Sequence, residues 1–245
     1  MKNQKLRVTI WNEFRHEKKK EEVKALYPNG IHAFIADFLK CDALDIRLAA
    51  LDDPECGLSD SALEQTDVLM WWGHMAHGEV PDALVDKIRD RVYRYGMGFI
   101  ALHSAHESKP FTRIVGTTGS LFWGDKQKEI LWNVNPAHPI AAGIPERIDI
   151  DCEEMYGEPF MIPKPDDVVF ASWFEKGNIF RSGCCFYRGL GKIFYFQPGH
   201  ETLKSYYNPS IQQIIRNAVF WAAPCEKPVR YPATCIHYLN GEAPK

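Results

Sequence analysis

The run Gly98-Phe99-Ile100-Ala101-Leu102-His103-Ser104-Ala105-His106 decides the fold of this chain. An apolar stretch of strand character stops at a turn of small residues that carries two imidazoles. In an open α/β sheet, ligands and catalytic groups collect at the carboxyl ends of the strands. Ile193-Phe194-Tyr195-Phe196-Gln197-Pro198-Gly199-His200-Glu201 ends in the same way, and Val68-Leu69-Met70-Trp71-Trp72-Gly73 runs into His74 and His77. Three strands thus deliver imidazoles to one sheet edge. The pattern predicts a metal-assisted site there.

Working outward, residues 6–11 read as a first strand, followed by a loop over 12–16. A helical pattern covers residues 18–40, through Val23, Leu26, Ile31, Phe34, Ile35 and Phe38, with a break at Pro28-Asn29-Gly30. Residues 45–51 form a second strand. A short helix over 59–65 carries a capping-box order at Ser61 and Glu64. Residues 68–72 form a continuously apolar third strand, as burial on both faces requires. An amphipathic helix over 81–95 has Pro81 at its start and Gly96 at its end. The strand over 98–102 completes a β-α-β-α-β-α-β alternation, which predicts a doubly wound parallel sheet.

The second half reads as extra strands at 130–134, 148–151, 168–173, 184–187 and 192–197, then a helix over 210–222. The tail from Pro224 is expected to pack along the surface. No repeat or linker interrupts the chain. The expectation is one domain over residues 1–245, with its core at about 6–222 and a tail over 223–245.

The chain has 245 residues, of which 45% are hydrophobic and 25% charged, an ordinary balance for a globular core. A net charge of −3 offers no basic face to a nucleic-acid backbone. The one basic cluster, Lys18-Lys19-Lys20, is followed by Glu21-Glu22 and reads as a solvated helix face. No apolar run approaches the ~20 residues needed to cross a bilayer, and no segment reads as an export signal. The seven cysteines lack Cys-x-x-Cys spacing, so reduced thiols in a cytoplasmic protein are expected. Aromatic content is 13%, which suits a sugar-facing pocket or a thick core.

Neutral imidazole is the commonest metal ligand. His103 and His106 lie three apart after a strand, and His74 and His77 repeat that spacing after its neighbour, between glycines. His200 follows Gln-Pro-Gly and is poised for ligation or proton transfer. His16 lies on the same edge if the sheet is parallel. His32, His138 and His237 read as structural. In Asp151-Cys152-Glu153-Glu154-Met155-Tyr156, adjacent side chains point to opposite faces of a strand, so one of the two glutamates reaches a common site. Gly116-Thr117-Thr118-Gly119-Ser120 has some likeness to a phosphate loop but lacks the lysine and the spacing.

The segment Gly-Phe-Ile-Ala-Leu-His-Ser-Ala-His resembles the nucleophile elbow of class I glutamine amidotransferase-like domains, and Phe-Gln-Pro-Gly-His-Glu resembles their His-x-Glu segment. Amidotransferases carry Cys where this chain carries His103, which removes the thiolate and makes glutaminase activity unexpected. His at that position resembles the ThuA-like (trehalose utilisation) family. That resemblance extends to the histidine loop after the first strand, Asn-Pro-Ala-His-Pro-Ile-Ala-Ala-Gly-Ile, Glu154-Met155-Tyr156 and Gly199-His200. It implies a flavodoxin-like three-layer fold and a role in sugar catabolism, with His103, Glu154 and His200 matching the family's motif residues. The Gly-His-Met-Ala-His pair lies outside that pattern.

The expected function is therefore a metal-dependent enzyme acting on a trehalose-like disaccharide or keto-sugar. His74, His77, His103 and His200 are expected to hold a divalent ion, zinc first, with Glu154 moving a proton and His16 and His106 nearby. The partner is a small carbohydrate, and homo-oligomers are compatible with the sequence. Two alternatives stay open. One is a non-catalytic sugar-binding or regulatory protein using Trp71, Trp72, Trp123 and Trp173 to stack on pyranose rings. The other is a hydrolase with Ser104 as nucleophile and His200 as base.

Overall fold

The computed structural model describes residues 5–225. The expected tail, Cys235 and His237 lie outside or mostly outside that range. The strands are β1 (Leu6–Asn12), β2 (Leu44–Ala50), β3 (Val68–Trp72), β4 (Gly98–Leu102), β5 (Phe122–Asn133), β6 (Arg147–Gly157), β7 (Asp167–Phe174), β8 (Ile179–Arg188) and β9 (Gly191–Phe196). The helices are α1 (His16–Lys19), α2 (Glu21–Leu26), α3 (Ile31–Leu39), α4 (Asp60–Glu64), α5 (Asp82–Tyr95), α6 (Lys109–Val115) and α7 (Pro209–Ala222). All nine strands join one sheet in the order β2-β1-β3-β4-β9-β8-β7-β5-β6. The first five run parallel, and the remaining pairings are antiparallel.

The parallel half follows from strand sequence. Every residue of β3 and β4 is buried, because helices cover both faces. Val68, Met70, Ile100, Leu102, Phe194 and Phe196 face α3 and α7 through Ile31, Ile35, Ile214 and Ala218. The alternate residues Leu69, Phe99, Ala101, Ile193 and Tyr195 face α4, α5 and α6 through Leu63, Val85, Ile88, Phe111 and Ile114. Helix α5 ends at Gly96, whose φ of 74° supplies the left-handed C-cap. Gly98 admits no side chain, since a Cβ there would lie 2.4 Å from the Ala222 carbonyl oxygen of α7.

Three local expectations change. The cap of α4 is Ser59, which accepts from the Ala62 amide at 3.3 Å, because the helix begins at Asp60, one residue before Ser61. The basic cluster is not one solvated face: α1 ends at Lys19 and α2 begins at Glu21, which turns Lys20 inward. Gly116 caps the end of α6, so the Gly-Thr-Thr-Gly-Ser loop leaves a helix rather than presenting a helix start to a phosphate.

Candidate active site

The carboxyl ends of β1, β3, β4 and β9 share one rim because these strands are parallel neighbours. His16, His74, His103 and His200 follow those ends. The antiparallel β6 carries Glu154 to the same place. His103 occupies the sharp turn after β4 with φ of 51°, a strained conformation for a residue with a Cβ. A strained strand-to-helix turn of this kind presents its side chain at the top of the sheet.

Within that rim, His103 Nδ1 donates to the Gln197 carbonyl at 2.9 Å, which leaves Nε2 facing Glu154 Oε2 at 3.2 Å. His200 Nε2 lies 4.0 Å from Glu154 Oε1. The His103 ring stacks on Tyr156, with centroids 5.2 Å apart, and the Tyr156 hydroxyl meets Ser104 Oγ at 3.1 Å. Burial disfavours the charged His103, but the hydrogen bond it donates to Glu154 and the nearby Glu153 and Glu154 charges outweigh it and raise its pKa. Burial also works against the Glu154 carboxylate, yet His103, His200 and His74 hold it well below the usual range. His200 is pushed down to about 3 by burial and by the His103 charge.

A second cluster adjoins the first. His74 Nδ1 lies 3.0 Å from Glu201 Oε2, and His16 Nε2 lies 3.5 Å from Glu201 Oε1. Lys20 Nζ reaches the same Oε1 at 3.0 Å. Burial lowers the His16 pKa against the opposing charges of Glu201 and Glu13. His16, His74 and Glu201, and separately His103, Glu154 and His200, bring their ligand atoms within 4.8 Å of one another.

Backbone amides hold the loops that carry these rings. Buried Glu13 accepts from the amides of His74, Met75 and Ala76 at 2.8, 3.0 and 2.9 Å, which fixes the loop after β3. Glu153, on the opposite face of β6 from Glu154, accepts from the Gly199 and His200 amides at 2.9 and 3.4 Å and from the Ser205 hydroxyl. Gly199, with φ of 140°, lies so close to Tyr206 that a Cβ would come within 2.1 Å of the phenol oxygen. Trp72 Nε1 donates to the Gly199 carbonyl at 3.2 Å.

The expected ligand set is only partly gathered. The structure groups His74 with His16 and Glu201, and His103 with His200 and Glu154. His77 is half-buried and joins neither group; its Nε2 is buried without a partner. His106 Nδ1 donates to the Gly119 carbonyl at 2.8 Å, and burial lowers its pKa to about 3. His32 and His138 are structural, the first bonded to Asn12 and the second capping the turn Pro139–Ala141. The hydrogen bond of the Ser104 side chain is to Tyr156 rather than to an imidazole. Trp71 and Trp72 are core residues, Trp71 being stacked on Trp11 at 3.7 Å. Trp123 is 67% exposed and lines a cavity of about 100 Å³ with His74, Ser104, His106, Glu107, Glu154 and Tyr156.

Glu13 and the inward contact of Lys20 carry no sequence signal, whereas Glu153, Tyr156 and Glu201 stand in strand-end motifs beside Glu154 and His200 without their contacts being visible there. Among the described residues no helix is long and apolar enough to cross a membrane.

Comparison with known proteins matches this architecture. The chain resembles a ThuA-like protein from Parabacteroides merdae, at 14% identity and a TM-score of 0.65, over 91% of this chain and 93% of that one. A cytoplasmic protein from Salmonella typhimurium gives 12% identity and a TM-score of 0.58, over 90% and 100%. A glutamine amidotransferase from Thermotoga maritima gives 12% identity and a TM-score of 0.50, over 89% and 98%. No curated protein matches the chain. At such identities these likenesses establish the fold alone, that of class I glutamine amidotransferases. The family model described as ThuA, trehalose utilisation, matches residues 7–222, and the chain belongs to that family.

Proposed function

We propose that this protein is a cytoplasmic, metal-dependent enzyme that acts on a trehalose-like disaccharide or keto-sugar, as one domain with its core at about 6–222. The observation that carries the reading is the partly buried Glu154 carboxylate, which lies 3.2 Å from His103 Nε2 and 4.0 Å from His200 Nε2. The donor set suits a divalent ion. With Nδ1 committed to the Gln197 carbonyl, His103 turns Nε2 toward the site, where a divalent ion would take the place of the proton shared with Glu154, the arrangement ligating histidines adopt. An ion on His103, Glu154 and His200, zinc first for imidazole-rich ligands, would polarise a sugar carbonyl or hydroxyl.

The remaining work falls to the chain itself. Tyr156 fixes the plane of the His103 ring, and Glu154 takes up or returns a proton beside it. Trp123, at the mouth of the cavity, offers an indole face to a pyranose ring. His103 stands where amidotransferases carry their Cys, and no cysteine belongs to either cluster among the described residues. Glutaminase chemistry has no thiolate to begin from.

A metal-free reading has one specific support. The Thr202 amide donates to His200 Nδ1 at 3.2 Å, which places the proton of a neutral ring on Nε2, facing Glu154. That arrangement suits an acid–base pair. Elemental analysis of tag-free protein before and after chelation, alongside turnover of candidate sugars, separates the two. Stoichiometric metal whose loss abolishes turnover is the expected result. Turnover that survives complete metal removal selects the metal-free pair.

A further inference from the structure

The cluster of His16, His74 and Glu201 has no part in the chemistry described so far. Glu201 is fully buried, and His16 is 3% exposed. Its Nδ1 is buried without a hydrogen-bond partner and points toward Glu13 Oε1 at 3.8 Å. Buried polar atoms are almost always paired, so an imidazole left in this condition calls for an explanation. Two buried carboxylates, Glu13 and Glu201, flank this ring. Among the described residues, the cation in direct contact with either of them is Lys20, whose side chain is 41% exposed.

We propose that His16, His74 and Glu201 form a second divalent-cation site, separate from the one on His103, Glu154 and His200. Ligand atoms about 2.0–2.1 Å from a tetrahedral zinc lie about 3.4 Å from one another. His16 Nε2 lies 3.5 Å from Glu201 Oε1 and His74 Nδ1 lies 3.0 Å from Glu201 Oε2, and one ligand atom from each of the three residues already lies within 4.8 Å of the others. With Nε2 ligating, His16 carries its proton on Nδ1 toward Glu13, the carboxylate-backed arrangement that orients metal-binding imidazoles. Glu13 also fixes the amide of His74, so one carboxylate holds both ligating loops. The Lys20 ammonium is the counter-charge of the metal-free site, and its flexible, half-exposed stem lets it withdraw.

Calorimetric titration of chelated, tag-free protein with zinc tests this. Wild type is expected to take two equivalents, H16A one, and E154Q one through the His16 cluster. K20M, which alters a half-exposed side chain and leaves every ligand in place, is expected to bind at the second site about tenfold more tightly or better. A single wild-type equivalent lost in H16A but kept in E154Q would support this site and overturn the assignment of metal to His103 and Glu154. A single equivalent kept in H16A and lost in E154Q would overturn this site and leave that assignment standing. Unchanged zinc affinity in K20M would also overturn it, and no zinc binding by wild type would overturn both.

Discussion

His103 Nε2 and Glu154 Oε2 meet at 3.2 Å although one leaves a parallel strand and the other lies on an antiparallel one. The parallel and antiparallel parts of the sheet therefore both contribute to the site. E154Q keeps the shape and removes the charge. It is expected to keep the fold by circular dichroism and to lose the zinc equivalent bound at His103. Chelator competition measures that change.

Glu13 holds three consecutive amides of the loop that carries His74. E13A leaves the three amides without their acceptor, that of Ala76 in a buried position, at a cost on the order of 3 kcal/mol. E13Q retains an acceptor and is expected to lose less. Urea unfolding of both variants gives the comparison.

Glu129 is fully buried, and burial together with the Glu153 charge raises its pKa to about 8. Its Oε2 has no partner. The folded state keeps this proton at pH values where the unfolded chain, near 4.5, has lost it. Folding therefore binds a proton between these values, and stability falls as pH rises from about 4.5 to about 8. E129Q is expected to flatten that slope, read as melting temperature against pH.

The parallel half of the fold is legible in the sequence because β3, β4 and β9 are apolar runs ended by glycine and histidine. The antiparallel half is harder. β5 begins at Phe122, eight residues before its apolar part, because Gln127 and Glu129 point inward and make a strand look like a polar loop. Histidines at strand ends are visible for what they are. Glu13 and Glu153 are not, since a carboxylate satisfied by backbone amides has the same sequence signature as one in water. Which histidines share a cluster depends on loop geometry, and equal spacing in the two pairs concealed that His77 joins neither cluster while His106 lines the cavity beside one.

Trp123 is the exposed aromatic of the cavity that Glu154 lines. With trehalose as the probe, W123A is expected to bind about tenfold more weakly, ~1.4 kcal/mol, with zinc stoichiometry unchanged. W123F should recover part of the loss. Calorimetry on the metal-loaded protein reads both.

Anomalous scattering at the zinc edge, from crystals of zinc-loaded protein, tests the central claim most directly. The account predicts a peak at about 2.0–2.2 Å from both His103 Nε2 and a Glu154 carboxylate oxygen. A fully loaded crystal with no anomalous peak in contact with either residue would contradict it.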